Sequence, residues 1–433
     1  MKSWISKQIP NLSDTRKYSK WAWKSALSIA EQFILSGGNF VLSIFLARFI
    51  SPSEFGVFVL AFSFLLLLSG FSNAFFFEPL SVIGPSKYTD NTKDYLGTTI
   101  FLQAVFSLLL VFIFTGVAIL LFITGNINIE LLHSLLGVSL SAPFILFFWL
   151  LRRICYMGGN VKFALYGSVT YVVILLCGLF FVIFFKLLSP FRVFLLMMFA
   201  SIIASIMLSF LQIHQINITK FFNRKILAFA IFKDHWRYGR WIGAANITNW
   251  LGGDFYLILI GIFLGAPQLG AYSALEKLTA PLLQAVSALG LLFVPWLAKQ
   301  KVKRGESYVQ KNIGRLIFFN VLISIAYSGI LLINGRFLVH LLYKKSYFDD
   351  FIWLLPFLML IAVITAFQQS LSIAVRALEK PVAIFWAKFF SSVFVLTIGI
   401  LCVYLWKFYG VIAGVSLGLI LESFVMLYYV KFK

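Results

Sequence analysis

Apolar residues follow one another along this chain in runs of about twenty, the length at which a helix spans a bilayer. Twelve such runs can be marked: 25–49, 56–79, 96–123, 131–151, 163–186, 192–213, 241–264, 270–294, 313–334, 351–374, 382–405 and 409–430. Polar residues gather in the short connections between them. The longest connection, from about Gln212 to Arg240, mixes basic residues with Phe221, Phe222, Ile226, Leu227 and Phe229. That mixture is the pattern of an interfacial amphipathic segment rather than of a folded domain. The pattern predicts an all-α polytopic membrane protein with two lobes of six helices each. They are an N-lobe over 1–213 with a basic N-terminal arm, a cytoplasmic linker over 214–240, and a C-lobe over 241–433.

The two lobes carry matching stretches. Gly37-Gly38-Asn39, an apolar run and then Leu46-Ala47-Arg48-Phe49-Ile50-Ser51-Pro52-Ser53-Glu54-Phe55-Gly56 open the first. Gly252-Gly253-Asp254, an apolar run and then Gly265-Ala266-Pro267-Gln268-Leu269-Gly270-Ala271-Tyr272 open the second, about 215 residues later. Six spans per lobe, an even number, set both lobes the same way up. The repeat is therefore parallel, with its pseudo-twofold axis along the membrane normal and a V-shaped central cavity between the lobes.

Composition agrees with a chain built for an apolar solvent: 61% of residues are hydrophobic and 12% are charged, too few to cover a soluble protein of this size. The net charge of +21 raises nucleic acid as a partner. No basic domain exists, however, and the lysines and arginines sit in loops between apolar runs, which sets orientation instead. With the N-terminus in the cytoplasm, 28 basic residues fall inside, 7 outside (Arg48, Lys186, Arg192, Arg336, Lys344, Lys345 and Lys407) and Lys277 within a span, together the 36 of the sequence. Both termini are expected to be cytoplasmic. The first apolar run follows a basic arm and is long enough to remain in the bilayer, so no cleavable signal is expected. Cys155, Cys177 and Cys402 show neither CxxC pairing nor metal spacing and read as small buried apolar residues.

Chemistry in such a chain resides in polar groups at membrane depth. The glycine pairs Gly37-Gly38 and Gly252-Gly253 fall near mid-span and read either as hinges or as small-residue helix packing. Asn39 and Asp254 stand beside them. Glu31, Glu78, Asp254, Glu276, Lys277, Lys388 and Glu422 are ionisable residues within spans, where a charge costs about 2.5–3.5 kcal/mol unless it finds a partner or a wet cavity. Glu31, Lys388 and Glu422 lie near span ends, where snorkelling to the interface is the plain reading. Arg48, Arg152 and Arg153 read as interface anchors or as forked grips on phosphate. Arg376 stands in the second half near the place of Arg153 in the first. Gln284, Gln368 and Gln369 would line the same route, and Pro143, Pro281 and Pro356 mark bends. His133, His214, His235 and His340 lack metal spacing and an acidic partner, and no glycine-rich phosphate loop follows a strand. An enzyme is not expected, nor a metal.

The junction Phe45-Leu46-Ala47-Arg48-Phe49-Ile50-Ser51-Pro52-Ser53-Glu54-Phe55-Gly56-Val57-Phe58 resembles the span-one-to-two junction of the polysaccharide transporter family, which includes bacterial O-antigen and exopolysaccharide flippases. Asp254 to Ile258, Phe263 to Ala266, Leu269 to Tyr272, Lys277-Leu278 and Phe293-Val294-Pro295 look like the matching junction of its second half. The resemblance implies membership of the multidrug/oligosaccharidyl-lipid/polysaccharide flippase superfamily in a bacterial inner membrane. Such a protein moves a polyprenyl-pyrophosphate-linked oligosaccharide to the periplasmic leaflet by alternating access. It uses no cofactor beyond a proton or sodium gradient, and its partners are membrane lipids and the glycan polymerase and glycosyltransferases of the same route. Substrate contact is then expected of Arg48, Arg152, Arg153, Asn39, Asp254, Lys277, Gln284, Gln368 and Arg376, and ion coupling of Glu31, Glu78 and Asp254. Two other readings remain: a multidrug and toxic-compound extrusion antiporter, with acids lining its cavity, and a non-transporting scaffold for glycan synthesis.

Overall fold

The computed structural model of the protein describes residues 15–212, 225–378 and 380–432. The first fourteen residues of the basic arm, and Phe221 and Phe222 of the expected amphipathic connection, lie outside them. The described elements are all helical. In the N-lobe they are α1 (Thr15–Phe49), α2 (Pro52–Ser72), a π-helical turn (Asn73–Phe77), α3 (Glu78–Lys87), α4 (Thr92–Ile123), α5 (Ile129–Met157), α6 (Val161–Phe184) and α7 (Pro190–Gln212). Next come α8 (Lys225–Gly252), α9 (Phe255–Phe263), α10 (Ala266–Lys277), α11 (Ala280–Arg304) and α12 (Glu306–Tyr343). A 3₁₀ segment (Ser346–Leu354), α13 (Leu355–Ala377), α14 (Pro381–Phe394), a second π turn (Val395–Gly399) and α15 (Ile400–Phe432) complete the chain.

Nine helical stretches among the described residues are long and apolar enough to cross a membrane. One of them, Val382–Lys431, holds two spans folded back at Lys407, whose backbone leaves the helical region at φ 49°. The two spans missing from that count are seven and eight. Each is broken in mid-course, span seven between α8 and α9 at Gly253-Asp254 and span eight between α10 and α11 at Leu278-Thr279. With these restored, the twelve expected spans are present as two lobes of six.

Local chemistry explains where the helices turn. Pro52 occupies the first helical position of α2, and Ser51 and Glu54 form a capping box. The Ser51 hydroxyl accepts from the Glu54 N–H at 3.2 Å and the Glu54 carboxylate accepts from the Ser51 N–H at 2.8 Å. In the second lobe Gly265 supplies a φ of +102° before Ala266-Pro267 restart the chain as α10.

The lobes converge where α2 meets α10. A methyl group on Gly56 would overlap the carbonyl oxygen of Ala266, and one on Gly270 would overlap that of Pro52. The contact is reciprocal: Gly56 and Gly270 are repeat-related, and so are Pro52 and Ala266. A self-complementary patch of this kind is what a twofold axis produces, so the axis runs between the two glycines. This end of the bundle is called the closed end below. The other end, which carries Lys87, Arg152 and Arg376, is called the basic end.

Two seams join the lobes, and they differ. Along one, α8 lies against α2, the first π turn, α3 and α4 for most of its length. Trp250 donates to Ser63 O at 3.1 Å, Asn246 to Gly70 O at 2.8 Å, and Gly239 sits against the Ala74 and Phe75 backbone. Along the other, α1 meets α10 and α12. There Lys345 donates to the α1 carbonyls of Ala47 (3.1 Å) and Ile50, near the closed end. Nearer the basic end, Trp23, Gln32, Phe33 and Gly37 of α1 are exposed. The expected linker also takes a definite form. From Lys225 onward it is the first half of α8, continuous with span seven.

Candidate functional site

Each lobe buries one carboxylate among polar partners. In the N-lobe, Glu31 of α1 is 1% exposed. Arg152 Nε of α5 donates to it at 2.8 Å, the Tyr156 hydroxyl at 2.7 Å, and the Ser168 hydroxyl of α6 completes the set. A second guanidinium nitrogen of Arg152 also contacts Glu31. In the C-lobe, Glu422 of α15 is 1% exposed. It accepts from Lys388 Nζ of α14, 3.1 and 2.8 Å from its two oxygens, and from Gln368 Nε2 of α13 at 2.7 Å. The snorkelling expected of Glu31, Lys388 and Glu422 is therefore overturned. Neither carboxylate reaches the interface, because each has a cation from a neighbouring helix that makes burial tolerable. Glu31 is thus neutralised within its own lobe, and Gln368 and Arg152 are committed to these pairs.

Other charged residues within spans lack such partners. Arg153, next to Arg152 on α5, is exposed and makes neither an ion pair nor a hydrogen bond among the described residues; Glu78 and Glu31 lie within electrostatic reach. Glu78 opens α3 after the π turn, with Asn73 Nδ2 3.5 Å away. Asp254 sits in the break of span seven, and Glu276, Lys277 and Lys388 are the charged groups that act on it. Glu276 and Lys277 end α10 at the break of span eight, both half-buried and without an ion pair among the described residues. Both helix breaks of the C-lobe thus carry charged groups that no described residue pairs with. Gln284 of α11 is exposed beside Pro281, and Gln369 accepts from Ser287 at 3.4 Å. Exposed polar groups within an apolar span mark a wet surface.

The remaining candidates are scattered. Arg48 lies at the closed end, half-buried, its guanidinium 5.7 Å from the Phe49 ring. It does not join the basic-end arginines. Arg376 is exposed in the last turn of α13. The Asn39 side-chain Oδ1 is buried without a hydrogen-bond partner among the described residues. The glycine pairs diverge. Gly37 and Gly38 lie inside the unbroken α1, where a methyl on Gly38 would press on Val172 of α6. Gly252 and Gly253 mark the break.

Sequence reasoning missed a third polar cluster at the seam of α3, α4 and α8. His235 Nδ1 lies 2.8 Å from the carbonyl oxygen of Phe75, in the π turn, and Nε2 lies 2.9 Å from the Tyr95 hydroxyl. A carbonyl only accepts, so Nδ1 carries the proton and Nε2 of the neutral ring accepts from Tyr95. Burial pulls the His235 pKa down to about 4, which keeps the ring neutral. Beside it, Asp234 accepts from Lys87 at 2.5 Å and from the Tyr88 hydroxyl at 2.7 Å. Burial alone would push this carboxyl up, but those two bonds and the Lys87 charge hold it below the usual carboxylate range. His340, also expected to lack an acid, lies 3.0 Å from Asp349. The polar run Asp234-His235 at helical spacing from Ile231 and Gly239 was the available signal.

A family model described as polysaccharide biosynthesis protein matches residues 45–307. No curated protein sequence matches the chain. Among solved structures, the chain is similar to the inward-facing conformation of a multidrug resistance MATE family transporter of the MOP superfamily. The TM-score is 0.77 at 12% identity, over 94% of this chain and 98% of that one. An outward-facing conformation under the same description gives a TM-score of 0.65 at 12% identity, over 94% and 93% of the two chains. A MOP superfamily transporter from Pyrococcus furiosus, described as having a binding pocket of reverse polarity, also gives 0.65 at 12% identity over 94% of each chain.

Proposed function

Because this chain belongs to the polysaccharide biosynthesis protein family, we propose that it is a flippase for polyprenyl-pyrophosphate-linked oligosaccharide. In this reading the basic end faces the cytoplasm of a bacterium and the closed end faces the periplasm. The observation that carries the reading is Arg153, an exposed guanidinium at the basic end with neither an ion pair nor a hydrogen bond among the described residues. A free guanidinium suits a pyrophosphate, which it can grip with two parallel hydrogen bonds. The headgroup would enter between the lobes from the basic end, where the α1 seam is the less stitched of the two. Its lipid tail would stay in hydrocarbon.

Ion coupling is assigned to Asp254, with Glu276 as its neighbour. Of the acids expected to couple, Glu31 is held by Arg152 and the two hydroxyls, whereas the Asp254 carboxylate has neither an ion pair nor a hydrogen bond among the described residues. One elementary charge moved through the membrane potential supplies about 2.3 kcal/mol per 100 mV, enough to bias a two-state cycle. The unsaturated acids Glu78, Asp254 and Glu276 favour a second reading, a cation antiporter. One assay separates the two. The purified protein in vesicles should translocate a short-chain polyprenyl-pyrophosphate oligosaccharide, and Arg153→Gln should slow it at least tenfold. Transport of an organic cation, with no headgroup translocation, would sink the flippase reading. Asp254→Asn should abolish the response to an imposed gradient while leaving the fold intact.

A further inference from the structure

The first half of α8 carries three faces, and only one is buried. Ile231, His235 and Gly239, at i, i+4 and i+8, are buried against the N-lobe. Phe229, Phe232 and Trp236, at i, i+3 and i+7, form an aromatic flank that is 68, 48 and 52% exposed. Its rings continue a ladder that starts at Phe75, 5.4 Å from Trp236, which in turn stands 6.4 Å from Phe232. Lys233, Arg237 and Arg240, at i, i+4 and i+7, form an exposed cationic pole next to that flank. Large apolar rings beside unpaired cations are stable at one place on a membrane protein, the boundary where acyl chains give way to headgroups.

Beside the pole is a cavity of about 310 Å³ between the end of α3 and α8, lined by Ile83, Ser86, Lys87, Asp234, Arg237 and Tyr238. Its one carboxylate, Asp234, is already engaged by Lys87 and Tyr88. Arg237 has no ion pair and the Tyr238 hydroxyl has no hydrogen-bond partner among the described residues. Lys87 spends one of its three donors on Asp234. The cavity therefore presents a guanidinium, a phenol and part of an ammonium to a ligand, with Lys233 and Arg240 close by on α8.

We propose that this cavity binds the phosphate of an anionic phospholipid of the surrounding bilayer, whose acyl chains lie along the aromatic flank. A forked donor matches a phosphodiester oxygen pair, and each basic residue at a membrane surface adds attraction to anionic lipid. Because α3 belongs to one lobe and α8 bridges both, a lipid held here ties the well-stitched seam shut. Anionic lipid then stabilises the protein independently of what it transports, so the proposal does not rest on the flippase reading.

The test uses the full chain, delipidated in a neutral detergent and titrated with phosphatidylglycerol, phosphatidylcholine or inorganic phosphate. Thermal unfolding and native mass spectrometry are the readouts. Phosphatidylglycerol should raise the unfolding temperature saturably and remain bound, and phosphatidylcholine should do neither. Lys233→Gln with Arg237→Gln should weaken the phosphatidylglycerol effect about thirtyfold. Lys233→Arg with Arg237→Lys should largely restore it, and Lys431→Gln, in the last turn of α15, should leave it unchanged. Equal stabilisation by both lipids, or an unaltered response of the double glutamine variant, would overturn the proposal. Stabilisation by inorganic phosphate alone would overturn the lipid assignment in favour of a soluble anion.

Discussion

The first span of each lobe starts from the same signal, a glycine pair followed by a polar residue, and the two spans end up physically unlike. In the N-lobe α1 runs through Gly37-Gly38 without interruption, Gly38 packs on Val172, and its one acid is saturated by Arg152, Tyr156 and Ser168. In the C-lobe the chain stops at Gly252, turns at Gly253-Asp254, and leaves the Asp254 carboxylate without an ion pair or hydrogen bond among the described residues. Span eight repeats the break after Lys277, whereas span two absorbs its irregularity in a single π turn. The opening span has thus been completed in one lobe and left unsaturated in the other. The fixed acid of the first span serves cohesion, and the loose acid of the seventh remains available for work.

That contrast can be broken most forcefully at Glu31. Glu31→Ala strands Arg152 at 14% side-chain exposure, and breaking a buried pair costs about 3–5 kcal/mol. Thermal unfolding in detergent should show the N-lobe severely destabilised, and Arg152→Met added to Glu31→Ala should recover most of the loss. Glu422→Ala should cost less, about 1–3 kcal/mol, because Lys388 is a quarter exposed and its flexible chain can turn its ammonium toward water. Equal losses at the two sites would remove the distinction. Alanine at the glycine pairs should have opposite signs. Gly252→Ala would make only ordinary van der Waals contact, its nearest neighbours being the Ser391 and Ser392 hydroxyls at 3.5 Å, and should gain up to about 1 kcal/mol of helix propensity while slowing transport. Gly38→Ala presses on Val172 at 2.7 Å and should cost about 1–3 kcal/mol.

The smallest effect concerns acidity at the α8 seam. An undocked histidine titrates near 6.5, and docking lowers His235 to about 4. A base whose pKa is depressed on docking takes up a proton on release. Its contribution is therefore complete above about pH 6.5 and declines as pH falls toward 4. Hydrogen exchange along α8 should quicken over that window, and His235→Asn should flatten the dependence.

Much of the framework was legible before the structure. Twelve apolar runs gave twelve spans, because bilayer thickness imposes one length on every element. Gly56 and Gly270 marked the repeat. What escaped reading depended on partners far away in sequence. Nothing local to Glu31 says that Arg152, 121 positions later, will neutralise it. Hydropathy assigned spans seven and eight their full lengths, because a break flanked by apolar residues leaves the average unchanged. Nor does a glycine pair disclose whether it will bend: Val172 decides the matter at Gly38, and nothing equivalent packs on Gly253.

α8 joins a membrane surface to a mid-membrane break without interruption. From Phe229 to Gly252 it is a single rod roughly 35 Å long. A helix of that length resists bending, so a tilt imposed at the headgroup level is delivered at the far end as displacement of Asp254 rather than lost on the way. The composition of the bilayer and the protonation of one deep acid are, in that mechanical sense, two handles on the same lever.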